Sequence, residues 1–279
     1  MRIAIIGLGL MGGSLGLALK GFRGCIRVGA TRNEAVLRQA LDQGAIDEAA
    51  GSAEAAIAQA DLTVFCTTPE HILQCLSQYA KLFRPGSVVT EIAGVKQAIC
   101  ERAAAVLPPE VQYAGVHPMA GKETSGFASA DAAIFQGTGF LIAPIPATSG
   151  ATITLLKDLA AHIGAKRIAV TDPREHDEVI AYSSDLMHAA AFGLCLDYPA
   201  GFTLAHAAGA FRDCTRIAAS DAKLWTELFL DNADHLLPAL ERYIGGLTEM
   251  REALRHQDSR KLLEMLERAN RNKKELQSR

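Results

Sequence analysis

Neither sign of charge dominates this chain: 28 lysines and arginines face 31 aspartates and glutamates, for a net charge of −3. Nucleic acid and anionic membrane both favour a basic patch or stripe, so neither is the expected main partner. Cysteine is present but unpatterned. Cys25, Cys66, Cys75, Cys100, Cys195 and Cys214 are scattered, with no C-x-x-C, and H-E-x-x-H does not occur. Zinc-ligand spacing is therefore absent, and 279 residues exclude a small disulfide scaffold. The cysteines read as reduced and mostly buried in a cytoplasmic protein, and no metal site is expected. A long uninterrupted apolar run is also missing. The nearest candidate, residues 3–19, is broken by glycines 7, 9, 12, 13 and 16 and lacks a basic leader and a cleavage site. The chain is expected to be soluble and to begin directly with structure. Charged residues make up only 21% against 49% hydrophobic, which excludes disorder, and the length suits two domains of roughly 150 residues.

Strand and helix patterns alternate up to about residue 170. Residues 2–6, 26–30, 62–66, 88–92, 111–116, 140–143 and 167–170 read as β-branched strands, with helical spacing at 35–41, 71–83, 98–107 and 153–163. Near-continuous apolar strands imply a parallel sheet covered on both faces, a doubly wound, Rossmann-like α/β architecture. Strands then cease. Pro173 opens a helical stretch whose longest pieces are 176–196, 221–255 and 260–274, with a kink expected at Pro238 and a weak point at Gly245-Gly246. The expected domains are 1–170, α/β, and 171–279, all-α.

Of the 24 glycines, those in Gly7-Leu8-Gly9-Leu10-Met11-Gly12 stand out, because this G-x-G-x-x-G follows a strand and opens a helix. The first glycine permits the tight turn, the second lets backbone approach a pyrophosphate, and the third lets helix and strand pack closely. Free N–H groups and the positive dipole end of the helix complete a dinucleotide site. An acid about twenty residues beyond the turn would hold an NAD ribose. Here the second strand ends in Thr31 and Arg32, which suit the 2′-phosphate of NADP, while nearby Glu34 keeps NAD open. Cys66, Thr67 and Thr68, after the third long strand, are expected to line the nicotinamide ribose, with Pro69 starting the next helix.

His117-Pro118-Met119-Ala120-Gly121 follows a later strand at the same sheet edge, and a histidine there can accept a proton near neutral pH. His71, His162, His235 and His256 fall in helical patterns and read as structural or exposed. The glycine turn, this H-P-M-A-G segment and Phe211-Arg212-Asp213-Cys214-Thr215-Arg216-Ile217-Ala218 together resemble the prephenate/arogenate dehydrogenase family, over nearly the whole chain. That resemblance implies a nucleotide-binding domain followed by a helical dimerisation domain. It also implies oxidative decarboxylation of prephenate or arogenate, on the route to tyrosine, with no metal. It implies His117 as the base, Arg216 as the clamp on a substrate carboxylate, and Glu123 as an acidic residue pairing with that arginine. Lys122 adds positive potential beside it, and Gly121 belongs to the catalytic loop.

Two departures accompany the resemblance. Ser184-Asp185-Leu186-Met187-His188 stands where relatives carry S-H-L-P-H, so His188 keeps the second histidine while Asp185 replaces the first. Gly94 stands where relatives often carry serine, removing a hydroxyl near substrate and nicotinamide; Thr124 and Ser125 are the candidate substitutes. Arogenate carries an ammonium where prephenate carries a ketone, so a carboxylate at Asp185 favours arogenate if it faces the substrate. Two other readings compete. G-L-G-x-M-G also opens the β-hydroxyacid dehydrogenases, but their G-x-x-G-x-x-x-K is missing from the helical half. A cofactor-binding sensor without catalysis would leave His117 and Arg216 unused.

Overall fold

The computed structural model describes residues 1–278. Eight strands form its sheet: β1 (Arg2–Ile6), β2 (Ile26–Ala30), β3 (Glu48–Ala49), β4 (Leu62–Phe65), β5 (Val88–Glu91), β6 (Gln112–Pro118), β7 (Gly139–Pro144) and β8 (Arg167–Val170). Their order is β3-β2-β1-β4-β5-β6-β7-β8. β1 and β4 lie side by side inside the sheet, and Ile3, Ala4, Ile5 and Ile6 are all buried, as is every residue of β4. Strands this apolar need cover on both faces. Six helices accompany the sheet: α1 (Leu10–Ala18), α2 (Glu34–Asp42), α3 (Ala53–Ile57), α4 (Pro69–Tyr79), α5 (Gln97–Val106) and α6 (Gly150–His162). Two apolar clusters result, one around Ile3, Ile5, Leu15, Val64 and Ile142, the other around Ile6, Phe65, Ile72, Leu76 and Val89.

The sheet departs from the all-parallel expectation in one place. β7 runs antiparallel to β6, pairing His117 with Leu141 and Pro118 with Phe140. The crossover helix a parallel strand requires is absent between them; the chain returns through the loop 119–138, which carries only two short 3-10 turns. β3 is a further strand, too short at two residues to show a period. The cysteines also differ from expectation: only Cys75 and Cys100 are buried, and Cys214 is exposed.

From 171 onward the described residues hold helices alone: α7 (Pro173–Ile180), α8 (Leu186–Cys195), α9 (Gly209–Thr215), α10 (Ala222–Asp231), α11 (Ala233–Arg255) and α12 (Ser259–Ser278). Asp172 caps α7 by accepting the N–H groups of Arg174 and Glu175, with Pro173 in the first turn. The helix expected at 176–196 is interrupted by a π-helical turn over Ala181–Asp185. The helix expected at 221–255 is interrupted at Asn232, and not at Pro238, around which α11 continues, nor at Gly245-Gly246. Asn232 leaves the helical conformation, and its side-chain amide is engaged with Asp177 and Asp185. His256 lies in the turn after α11, outside the helix.

The chain falls into two compact units, Met1–Asn232 and Ala233–Arg279. This division comes later than the change from α/β to all-α at 170/171. Backbone N–H groups of Lys96 and Gln97 bind the Asp177 carboxylate, which ties α7 to the sheet. In the second unit α11 and α12 pack on one another through a three-residue turn in which Gln257 takes a positive φ of 54°. No helix among the described residues is long and apolar enough to cross a membrane.

Candidate active site

β2 lies to one side of β1 and β4 to the other, so their carboxyl ends diverge and leave a crevice, the place where open α/β sheets take ligands. A cavity of about 590 Å³ lies there, lined by loops following β1, β4, β5 and β6 and by helical residues 180–228. The glycine turn forms one wall. Gly7 needs its freedom, with φ +96° and a Cβ position 2.7 Å from the Cys66 carbonyl oxygen. A Cβ on Gly12 would strike the Gly7 carbonyl, so α1 can approach β1 only without it. Nothing lies within 4 Å of a Cβ on Gly9, which faces the cavity with Leu10 and Met11. That is open space beside bare backbone at a helix N-terminus, and it fits a pyrophosphate. Leu8 is instead buried in the core. Cys66, Thr67 and Thr68 line the cavity next to the turn. Thr31 and Arg32 follow β2 outside it, Thr31 partly buried and Arg32 exposed.

A second wall is the loop after β5. Glu91 and Lys96 are fully buried and form an ion pair at 2.8 Å. Glu91 also accepts the Ala93 N–H, and Lys96 Nζ donates to the carbonyls of Ala93 and Val95. The short loop is thereby pinned, and Gly94 is held at the cavity. A Cβ there would sit 3.2 Å from Leu228 Cδ2, so Leu228 crowds the place that a side chain at position 94 would take.

His117 occupies the penultimate position of β6, on the cavity. Its Nδ1 lies 2.9 Å from Nε2 of His176, whose Nδ1 lies 2.7 Å from Oδ1 of Asp177. Burial, then the neighbouring His176 and Lys96, holds the His117 imidazole well below the usual histidine value, so it is neutral at pH 7. His176 is lowered as well, mainly by burial, with Asp177 opposing. Neither His176 nor Asp177 was singled out from the sequence. The signal was there: α7 turns His176, Asp177 and Ile180 to its buried face, and two adjacent polar residues on such a face need a purpose.

The loop after β6 brings Gly121, Lys122, Glu123, Thr124 and Ser125 to the cavity. Glu123 is ion-paired with Arg216, and Arg216 remains 63% exposed at the rim. Lys122 pairs with Asp131 at 3.0 Å. From the helical side come Asp185 and His188, set by the π turn and the start of α8. Asp185 is 2% exposed and accepts from Asn232 Nδ2 at 2.7 Å. Burial pushes its carboxyl up to about 6 against the pull of that hydrogen bond. His188 stacks on Trp225 with ring centroids 3.4 Å apart, and its Nδ1 donates to the Ser184 carbonyl at 3.0 Å. Trp225 and Leu228 also line the cavity and were not anticipated; both read as core positions of an amphipathic helix.

Residues 15–169 match the family described as prephenate dehydrogenase, nucleotide-binding domain, and residues 172–268 match prephenate dehydrogenase, dimerization domain. This chain belongs to the prephenate dehydrogenase family. It is 30% identical to the cyclohexadienyl dehydrogenase of Zymomonas mobilis, over 94% of this chain and 92% of that protein. The structure resembles Aquifex aeolicus prephenate dehydrogenase in complex with hydroxyphenyl propionate and NAD+, with a TM-score of 0.88, 26% identity and coverage of 99% and 98% of the two chains. It resembles Synechocystis arogenate dehydrogenase with a TM-score of 0.82 and 26% identity, over 99% of this chain and all of the other. A 3-hydroxyisobutyrate dehydrogenase from Salmonella typhimurium also shares the fold, over 89% of this chain, but with a TM-score of only 0.59 against 0.88 and 0.82 for the prephenate and arogenate dehydrogenases.

Proposed function

We propose that this protein oxidatively decarboxylates arogenate in preference to prephenate, with NADP as the favoured hydride acceptor. Membership of the family makes it an NAD(P)-dependent dehydrogenase. The observation that carries the dehydrogenase reading is that His117 and the glycine turn line the same cavity. The bare backbone of Gly7–Gly12 would hold the pyrophosphate and Cys66–Thr68 the nicotinamide ribose. Arg32, exposed beyond β2, would pair with a 2′-phosphate. When bound, the nicotinamide supplies the acceptor for hydride leaving the carbon that bears the substrate hydroxyl.

The protein's own part is to move one proton and hold the anions. His117 takes the hydroxyl proton as that carbon becomes a carbonyl. CO2 leaves the opposite ring carbon, its bonding pair completes the aromatic ring, and the proton returns to the phenol oxygen. Arg216 holds a carboxylate through its planar fork, and Glu123, with which it is ion-paired, releases it to substrate. Lys122 adds positive potential at the rim, and Thr124 or Ser125 supplies the hydroxyl that Gly94 lacks. Asp185 supports the preference for arogenate: it is a buried carboxylate on the cavity, not a solvated one. His188 adds to it, because a ring whose Nδ1–H is given to Ser184 has only an acceptor left at Nε2. Two acceptors suit an ammonium and oppose a ketone.

The helical part from 171 onward is proposed to carry the substrate side of the site and to form a homodimer. Initial rates with prephenate or arogenate, each with NAD or NADP, test the whole reading. The highest kcat/KM should fall to arogenate with NADP. Cofactor binding with no reduction by either substrate would revive the sensor reading.

A further inference from the structure

The geometry points to His176 and Asp177 as the positioning pair that decides which ring nitrogen of His117 receives the substrate proton. This rests on the reading of His117 as the base and adds residues that reading does not need. Lys96 N–H donates to Asp177 Oδ1 at 2.7 Å and Gln97 N–H to Oδ2 at 2.8 Å, so both carboxylate oxygens already act as acceptors. A group in that role 2.7 Å from His176 Nδ1 requires a proton on that nitrogen. A neutral imidazole has one N–H, so His176 Nε2 is left as an acceptor. It stands 2.9 Å from His117 Nδ1, which must therefore donate. The proton of His117 is held on Nδ1, and its lone pair is on Nε2.

The reverse tautomers would set a bare nitrogen of His176 against a carboxylate oxygen, lone pair to lone pair, in a place shielded from solvent. His176 is 1% exposed and Asp177 3%. The arrangement follows the logic of a base whose far nitrogen is engaged by a buried orienting group. Here the orienting group is a second histidine with a carboxylate behind it. When the substrate O–H bond breaks, its proton forms the new N–H bond at His117 Nε2. The resulting cation already donates through Nδ1 to His176, with the Asp177 charge behind, and the proton returns to the phenol oxygen after CO2 leaves.

Nitrogen-15 NMR of histidine-labelled enzyme, without substrate, reads the tautomer directly. The expected spectrum shows His117 protonated at Nδ1 and bare at Nε2; protonation at Nε2 overturns the proposal. Two variants supply the kinetic arm. In His176→Gln the side-chain oxygen can accept from His117 and the amide can donate to Asp177, so kcat should stay within about tenfold of wild type. His176→Leu should lose roughly 100-fold in kcat with cofactor KM unchanged. Equal kcat in the Leu variant and wild type sinks the pair's role. Full activity of His117→Asn would instead sink the underlying assignment of the base, so the two failures are told apart.

Discussion

At Asp185 burial costs stability, and the cost depends on pH. Its carboxyl is raised from 3.8 to about 6 in the folded protein, so folding favours the protonated form. The sign follows: the benefit is complete below pH 4 and is lost as pH rises through 6. The difference corresponds to about 3 kcal/mol. Asp185→Asn should therefore unfold at higher urea than wild type at pH 8, and at nearly the same urea at pH 4. An equal gain at both pH values would contradict a buried charge as the cause. The variant should also lower the ratio of kcat/KM for arogenate over prephenate by about tenfold or more, since an ammonium loses its counter-charge; an unchanged ratio removes Asp185 from the selectivity. His117 titrates in the opposite sense. Its folded value is depressed, so its contribution to stability is present above the ordinary histidine value and lost as pH falls through the folded one. The kcat/KM profile should accordingly hold its plateau to pH values below 6.5, and His117→Asn should lower kcat by about 100-fold or more without moving cofactor KM. An acid limb centred at or above 6.5 would show that the buried, neutral ring is not the base.

Among the elements, the loop from β5 to α5 shows how the site is held from behind. Glu91 and Lys96 are both out of water, β6 passes them at Gly115, and a Cβ at Gly115 would sit 2.6 Å from Glu91 Oε1. Removing one partner leaves a buried unpaired charge, so Lys96→Met should cost about 3–5 kcal/mol in urea unfolding. The double variant Glu91→Gln with Lys96→Met should recover a large part of that loss; no recovery would mean that the lysine's bonds to the Ala93 and Val95 carbonyls, not the charge pair, hold the loop. Such features also mark where the sequence could and could not be read. β1, β4 and the glycine turn were legible because apolar periodicity and a φ-dependent glycine are local signals. The reversal of β7 was not, because direction depends on whether the 119–138 loop holds a crossover helix and its turns are too short to show a period. The π turn at 181–185 and the break at Asn232 escaped for a different reason. Both are fixed by buried polar bonds from Asn232 to Asp185 and Asp177, 47 and 55 residues away in sequence. His176 and Asp177 left only a faint trace, two polar residues on the buried face of α7, and the contact with His117 depends on β6 and α7 coming together.

For the whole molecule, the second compact unit sets the expectation of assembly. Along α11, Leu237, Ile244, Leu247 and Leu254 are all exposed, and their spacings of seven, three and seven residues place them on one stripe. Leu263 and Leu266 add a neighbouring pair on α12. A stripe of large apolar side chains on a unit of only two helices is a surface that water penalises at about 25 cal/mol for each Å² left uncovered. Closed two-fold association would cover it twice, once on each copy. Sedimentation equilibrium should therefore give a dimer for the wild type, and Ile244→Glu with Leu247→Glu should shift it to monomer. These residues do not line the cavity, so cofactor affinity measured on the monomeric variant should stay within a few-fold of wild type. A wild type that sediments as a monomer, or a double variant that remains dimeric, would place the covering partner of α11 elsewhere than on a second copy of this chain.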